Sequence, residues 1–502
     1  TQLRLSDMNR ICQKIITAFA CSALCGCMVG PDFEKPKADA LPEKYSSDGK
    51  SVANPREPSD AELAEWWGVF GDETLSSLVR RAFEKNFDLA TAVAKIKQAR
   101  ATLGITQSGF FPSLDADAGF KQAGKISASN HSFSWGADAA WEVDIFGGTR
   151  RGIEAAVSDY KAALADKCAT KISVAAEVAK NYFLYRGYQQ ELIITKRNLE
   201  AQRKTYNITV KRKSNGFVSD LDVVRAAAQL DSTSAQIPQL ESKMLLARHA
   251  LELLLALPAG SLEKELEAPR ELPILESFVP TGVPAKLVRR RPGILSAENK
   301  LHAAVAKIGN AKSDFYPKFF ITGQISYQAP DIGKLVQNQY GTWSAGPSAS
   351  WNLFQAGKTY FNVKLQKAVA EAAGVSWNSA VLAALKEVED AIVSAQKERE
   401  RIAHINKLVE SNKKAFELSS KLYSEGEIEF LDLLDTQRSM LSSEQSQVSS
   451  RRQFVSNIVS LYAALGGGWS ESDLQDTEED SQWLFFKEAF GDGEQPDTSN
   501  TQ

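Results

Sequence analysis

The chain has 502 residues, 43% of them hydrophobic and 24% charged, with a formal net charge of −3. That length accommodates several compact domains or one very elongated one, and the composition is that of a folded protein. The near-neutral balance gives no electrostatic case for a nucleic-acid partner, and no run of about 20 apolar residues after the N-terminus marks an internal transmembrane helix.

The N-terminus reads as an export signal. Met8 is the expected start, with Thr1 to Asp7 an extension ahead of it. Arg10 and Lys14 form a positive n-region and Ile15 to Leu24 a short apolar h-region. Leu24-Cys25-Gly26-Cys27 resembles a bacterial lipoprotein box, which makes residues 1–26 the signal peptide and Cys27 the acylated first residue. The alternative is an ordinary secretory leader that is rich in cysteine. By the sorting rule of such lipoproteins, Met28 rather than Asp after the cysteine implies the outer membrane. Cleavage leaves Cys27 and Cys168, too few for a disulfide framework within one chain.

Residues 27–60 hold Pro31, Pro36, Pro42, Pro55 and Pro58 and read as an extended tether. From Trp66-Trp67 and Phe70 onward, apolar residues fall three and four apart, as in Leu75, Leu78, Ala82, Leu89, Ala92 and Ile96, which is helical spacing. Phe110-Phe111-Pro112 stops that pattern. Strict alternation follows: Leu114, Ala116, Ala118 and Phe120, then Phe133, Trp135, Ala137, Ala139 and Trp141, share a face opposite Asp115, Asp117, Ser134 and Asp138. This is a β-hairpin over 113–142 with strands of membrane-spanning length. A half-buried soluble sheet has the same alternation. From Thr149 to Ser214 there is no proline and the spacing is helical. A helix of that length is about 100 Å long and needs lateral support from other long helices. It ends at Asn215-Gly216, and a second helical stretch, interrupted at Pro238, returns to Leu257.

After a proline-punctuated connector, 258–286, the same order recurs over 287–468. Phe315-Tyr316-Pro317 echoes the first aromatic-proline turn, a hairpin spans 318–352, and Gly357 opens another long helix that ends at Gly426. Gly216 and Gly426 are 210 residues apart (426 − 216), as are Trp141 and Trp351. Two internal repeats, 61–257 and 287–468, therefore organise the chain, followed by an acidic tail, 469–502, that composition marks as disordered. Four membrane-length strands cannot close a barrel, and open sheet edges are not tolerated in lipid. If the strands span a membrane, several chains must share one barrel, because the smallest closed barrels have about eight strands.

The Trp66-Trp67 pair with Phe70, Asn86 and Asp88-Leu89, Gln98-Ala-Arg100, the two aromatic-proline turns, Trp141 to Gly147, Trp351 to Gly357 and both glycine tips together resemble one family over residues 27–468. It is the TolC-type outer-membrane efflux proteins, in the NodT-like lipoprotein branch. The resemblance implies a mixed α and β membrane protein. It would be a homotrimer whose three four-stranded sheets form a 12-stranded β-barrel, continued by a long periplasmic α-helical barrel. It implies a passive exit duct for drugs, metal ions or metabolites that docks a periplasmic adaptor protein and an inner-membrane pump. A duct for type I protein secretion is the near alternative, and a lipid-tethered periplasmic coiled-coil scaffold the distant one.

By the same resemblance, Tyr423, Asp432 and Asp435 fall on the positions that constrict the pore. Ile428 stands where the family's type member carries a basic residue. Asp432 and Asp435 are three apart, on one helical face, where stacked rings in an oligomer would attract cations; first-turn acids also simply suit the helix dipole. Asp222, the counterpart of Asp432, reads as the end of a Ser219-x-x-Asp222 capping box. Gly216, Phe217 and Val218, with Gly426, Glu427 and Ile428, are the expected adaptor-docking tips. No catalytic constellation, cofactor or metal site is expected: His131, His249, His302 and His404 are scattered, and Cys168 sits in a helical pattern.

Overall fold

A computed structural model describes residues 28–36, 53–54, 56, 59–125, 128–273, 279–281 and 284–475. Cys27 and the rest of the signal region lie outside them. Helices α1 (Glu73–Lys85) and α2 (Phe87–Ser108) lead into strands β1 (Ser113–Lys125) and β2 (Ala128–Val143), then α3 (Gly148–Ser214) and α4 (Asp220–Leu254). The order recurs as α5 (Pro292–Ser313), β3 (Lys318–Ala329), β4 (Gly341–Ser350), α6 (Lys358–Glu425) and α7 (Phe430–Ala464). Helices α3 and α6 have 67 and 68 residues, each about 100 Å of rise. Both start from a glycine in the left-handed region, Gly147 at φ +76° and Gly357 at φ +84°. There the chain turns from strand to helix at little steric cost.

The four strands form one antiparallel sheet in the order β1-β2-β3-β4. Its register puts Ala118, Trp135 and Tyr327 in one row, and Ala137, Ile325 and Trp343 in another. The rings of Trp135 and Tyr327 stack at 5.0 Å. On the opposite face Asp115, Asp138, Gln324 and Ser344 form a row. The sheet is thus apolar on one side and polar on the other. Among the described residues its outer strands β1 and β4 each pair on one side only, leaving two ladders of backbone donors and acceptors without strand partners there. The foot of the sheet is tied to the helices by two equivalent bonds: Trp141 Nε1 donates to Phe110 O at 2.9 Å, and Trp351 Nε1 to Phe315 O at 3.1 Å.

The main core is a girdle midway along the helices. Trp66, Trp67, Phe70, Leu75 and Leu78 pack on Val174, Val178, Tyr182 and Phe183 of α3, with Leu262, Leu266, Ile458 and Leu465. Two buried charges clamp the connector to it. Arg186 donates to Leu266 O at 3.0 Å and to Ala268 O at 2.7 Å. Glu252 accepts from the backbone of Gly260 at 3.0 Å and Leu262 at 2.9 Å. Gly467 permits close packing there: a Cβ would meet Trp66 at 2.9 Å and Leu63 O at 3.0 Å.

Four features differ from the sequence reading. Helix α4 is continuous through Pro238, because packing along α3 holds both flanks in line despite the missing backbone donor. The segment Met28–Pro36 is extended but packed. Its Gly30 crosses Gly309 so closely that a Cβ would lie 2.4 Å from the Gly309 Cα. Asp32 accepts from Arg151 at 2.6 Å, and Phe33 stacks on His302 at 4.2 Å. At the start of the expected disordered tail, Trp469 is buried and Glu471–Leu474 form a helical turn, while residues 476–502 lie outside the described residues. Finally, α6 holds an 18-residue window apolar enough to cross a membrane by length and composition, only 22% of it buried.

Candidate functional site

Both hairpin tips lie side by side at the end of the long helices farthest from the sheet. The first tip closes on itself. Gly216, at φ +80°, donates from its backbone to Lys213 O at 2.8 Å, and Phe217 to Arg212 O at 2.9 Å. Ser219 then starts α4 with a capping box: its Oγ accepts from the Asp222 backbone at 3.3 Å, and the Asp222 carboxylate accepts from the Ser219 backbone at 3.2 Å. Asp222 is therefore a helix-capping group. Lys213 pairs with Asp220. Phe217 stands 71% exposed and Val218 half-buried.

The second tip is built differently. Gly426, at φ +91°, ends α6, and its N–H and that of Glu427 both donate to Leu422 O at 2.9 Å. This satisfies the last carbonyls of the helix as a left-handed C-terminal residue does. Glu429 precedes α7 without making a side-chain cap. The tip is instead held by an apolar cluster of Tyr423, Phe430, Leu433 and Leu434, with Ala226 from α4 and Ile428 packed against it.

Tyr423 is 2% exposed. Its hydroxyl shares a hydrogen bond of 3.0 Å with Thr209 Oγ1, and its ring meets Phe430 edge-on at 5.9 Å. Arg212 of α3 lies 4.8 Å above that ring and donates to the Tyr423 carbonyl. Arg212 also approaches the tip glycine, since a Cβ on Gly426 would come within 3.3 Å of its Nη2. Asp432 and Asp435, by contrast, are exposed on the other face of α7 and make no ion pair among the described residues. In the single chain, the three residues matched to the constriction are thus parted: the two carboxylates are together and solvated, and Tyr423 is packed between the hairpins.

Arg212 and Thr209 were not singled out from the sequence. The basic triplet Lys211-Arg212-Lys213, three residues ahead of Gly216, was the available signal. It supplies from the first hairpin the positive charge that Ile428 does not supply in the second.

Elsewhere, chemistry-bearing residues are occupied structurally. Cys168 is buried and unbonded, and burial pushes its thiol up to about 11, so it stays protonated near neutral pH. His302 bonds Glu154 at 2.9 Å. Among the described residues no group of three or more His, Cys, Asp or Glu side chains could hold a metal.

The family model for outer membrane efflux proteins matches residues 78–257 and 283–467. Nodulation protein T of Rhizobium leguminosarum bv. viciae is 32% identical over 451 residues, covering 89% of this chain and 92% of the relative. The cation efflux system protein CusC of Escherichia coli K12 is 28% identical over 460 residues, 91% of this chain and 99% of that protein. The solved outer-membrane channel OprN superposes with a TM-score of 0.81 at 33% identity, covering 88% of this chain and all of that one. A solved CusC gives 0.78 at 26% identity, with coverage of 88% and 100%. With a matching model over both halves and relatives aligned along nearly their whole length, the chain belongs to the outer membrane efflux protein family.

Proposed function

We propose that the chain is the outer-membrane exit duct of a tripartite efflux system, a passive conduit for drugs, metal ions or metabolites. One observation carries the reading. A four-stranded sheet with an apolar face and two unpaired edges is continued by helices about 100 Å long. Such edges are tolerated in lipid only when the sheet closes on other copies. Three copies would give a 12-stranded barrel, with the helices as a periplasmic tube. The exposed apolar residues of α6, among them Leu365, Val369 and Leu382, would pack against a neighbouring copy. The duplicated order of elements supports a chain built from two repeats.

In this reading Cys27 is acylated and holds the N-terminus at outer-membrane lipid, and the packed strap from Met28 seats it by the foot of the sheet. Both tips face away from the membrane. Gly216 to Val218 and Gly426 to Ile428 receive a periplasmic adaptor that links the duct to an inner-membrane pump. Asp432 and Asp435 line the narrow end as stacked rings of carboxylates. Tyr423 contributes to the constriction as a positioning residue, locking the second hairpin to the first through Thr209 and Arg212.

The purified protein should run as a three-chain particle in detergent and give water-filled conductances in planar bilayers. Purification of a Cys27→Ala form as a dispersed monomer without detergent would overturn the duct in favour of a tethered scaffold.

A further inference from the structure

The two open edges of the sheet correspond, through the repeat, to a junction that the chain makes internally. Strand β1 corresponds to β3 with an offset of 205 (318 − 113), and β2 to β4 with an offset of 210 (350 − 140). These offsets carry the pair Ser113 with Ala140 onto the pair Lys318 with Ser350, so the two hairpins share one register. The equivalent bonds from Trp141 to Phe110 and from Trp351 to Phe315 obey the same offsets. So do the helices: α2 starts 205 residues before α5 (292 − 87), and α3 starts 210 before α6 (358 − 148). Within the chain, β2 joins β3, and α3 packs on α5. Their counterparts β4 with α6, and β1 with α2, stand at the two edges.

Both edges present matching backbone groups. Thr322 Oγ1 donates to Gly346 O and Thr342 Oγ1 to Ser326 O, each at 3.3 Å, which places the bonded pairs of β3 and β4 at even-numbered residues. The odd-numbered residues of β4 therefore turn to the open edge. Pro347, with no N–H to give, is one of them. Ser113 Oγ donates to Ala140 O and Ser134 Oγ to Gly119 O, each at 3.4 Å, so the even-numbered residues of β1 turn to the other edge. Transposing the β2–β3 register sets Ala349 opposite Ala118, Pro347 opposite Phe120 and Ala345 opposite Gln122 of a second copy. Every such pair joins an odd residue of β4 to an even one of β1, which matches bonding edge to bonding edge and apolar face to apolar face. A slip by one residue would break both matches.

The helices below supply an independent match. Gly309 of α5 is crowded: a Cβ there would lie 2.8 Å from Arg151 Cγ. Its counterpart Gly104 stands in the interior of α2, where a Cβ would meet nothing within 4 Å outside its own turn. Glycine weakens a helix interior, and no contact among the described residues calls for it there. The counterpart of Arg151 is Phe361 of α6, 64% exposed. The transposed packing lays that ring across Gly104 of the next copy. It likewise brings Leu365, counterpart of Ala155, onto Ala101, counterpart of Ala306.

We propose that copies join by repeating the junction between the two halves of one chain. Strand β4 pairs with β1 of the next copy in the register that sets Pro347 opposite Phe120, and Phe361 seats on the next copy's Gly104. This rests on the duct reading above, in which three copies share one barrel. Pro347 leaves the Phe120 carbonyl without a strand donor. Around that gap the polar face carries Gly119, Gly346 and Ser348 beside Lys121, which leaves room for lumen water to bond the carbonyl.

The test uses the full chain purified in detergent. In the proposed register Ser344 and Ala123 form a lumen-facing, non-bonded pair between copies, with Cα atoms about 4.5 Å apart and within disulfide reach. Within one chain they lie on the two outer strands, about 14 Å apart over three strand spacings. Ser344→Cys with Ala123→Cys should therefore oxidise mainly to covalent trimers on a non-reducing denaturing gel. Ser344→Cys with Lys121→Cys, two residues out of register, should cross-link several-fold less. Equal or greater cross-linking of that control overturns the register. Gly104→Leu, which has room within its own chain, should lower the trimer fraction several-fold, and adding Phe361→Ala should restore it. Trimers unaffected by Gly104→Leu, or a loss that Phe361→Ala does not restore, overturn the Phe361 seat alone. A parent protein that does not run as three chains in detergent counts instead against the duct.

Discussion

The two tips descend from matching stretches of sequence 210 residues apart, yet they are stabilised by different means. The first is self-sufficient: a glycine turn, a reciprocal Ser219–Asp222 box and a Lys213–Asp220 pair satisfy it locally. The second has no side-chain cap and depends on long-range partners, with Thr209 and Arg212 more than 200 residues away in sequence. A locally closed turn stays folded whatever its neighbours do. A turn held from across the hairpin seam is released when the seam opens. In the proposed duct, this difference would make the first tip the fixed one and the second the movable one.

The largest expected effect comes from removing the centre of that cluster. Tyr423→Ala should destabilise the second tip by about 3 kcal/mol, as for other large aromatic truncations. It should show as much faster tryptic cleavage after Lys421, with no change at Lys211 or Lys213. Equal acceleration at both tips would mean that they are not independently held. Next comes Arg212→Ala, which removes a charged hydrogen bond and a cation–π contact, together about 2 kcal/mol. The variant should raise bilayer conductance several-fold by loosening the second hairpin. Arg212→Lys should restore little, because an ammonium lacks the planar fork. Unchanged conductance would remove Arg212 from the lock. Ser219→Ala sharpens the comparison from the other side. Loss of the cap should cost about 1 kcal/mol, detected as faster hydrogen exchange in the first turn of α4, while conductance stays that of the parent protein.

The features legible in the sequence were those set by neighbours along the chain. Gly216 and Gly426 end helices because only the left-handed region turns there, and the two-residue alternation from Leu114 to Trp141 marks strands without any knowledge of partners. The helix lengths followed from the absence of proline between Thr149 and Ser214. What could not be read is carried by contacts across the fold. The Arg212–Tyr423 lock joins residues 211 positions apart. The packing of Met28 to Phe33 depends on Gly309 and His302. Pro238 is tolerated because α3 supports α4 on both sides of it. Family spacing found Tyr423 but not its environment, since the same tyrosine can face a pore or a seam, and only its partners decide which.

The smallest expected effect on stability is at the carboxylates. Asp432 and Asp435 are exposed and unpaired among the described residues, so replacing both with asparagine should change unfolding by less than about 0.5 kcal/mol. Their influence is electrostatic and long-ranged only where copies gather. Three chains would bring six carboxylates around one axis, where like charges raise the local attraction for cations. The double Asp432→Asn, Asp435→Asn variant should therefore conduct better in planar bilayers containing divalent cations and be blocked less by them. The difference should shrink as added salt shortens the screening length to about 3 Å at molar ionic strength. Asp222→Asn, at the matching place in the first tip, should leave block unchanged, because that carboxylate is spent on capping. If both tips respond alike, the division between a fixed and a movable tip fails; if only the second responds, the carboxylates belong to the constriction that the Arg212 lock holds in place.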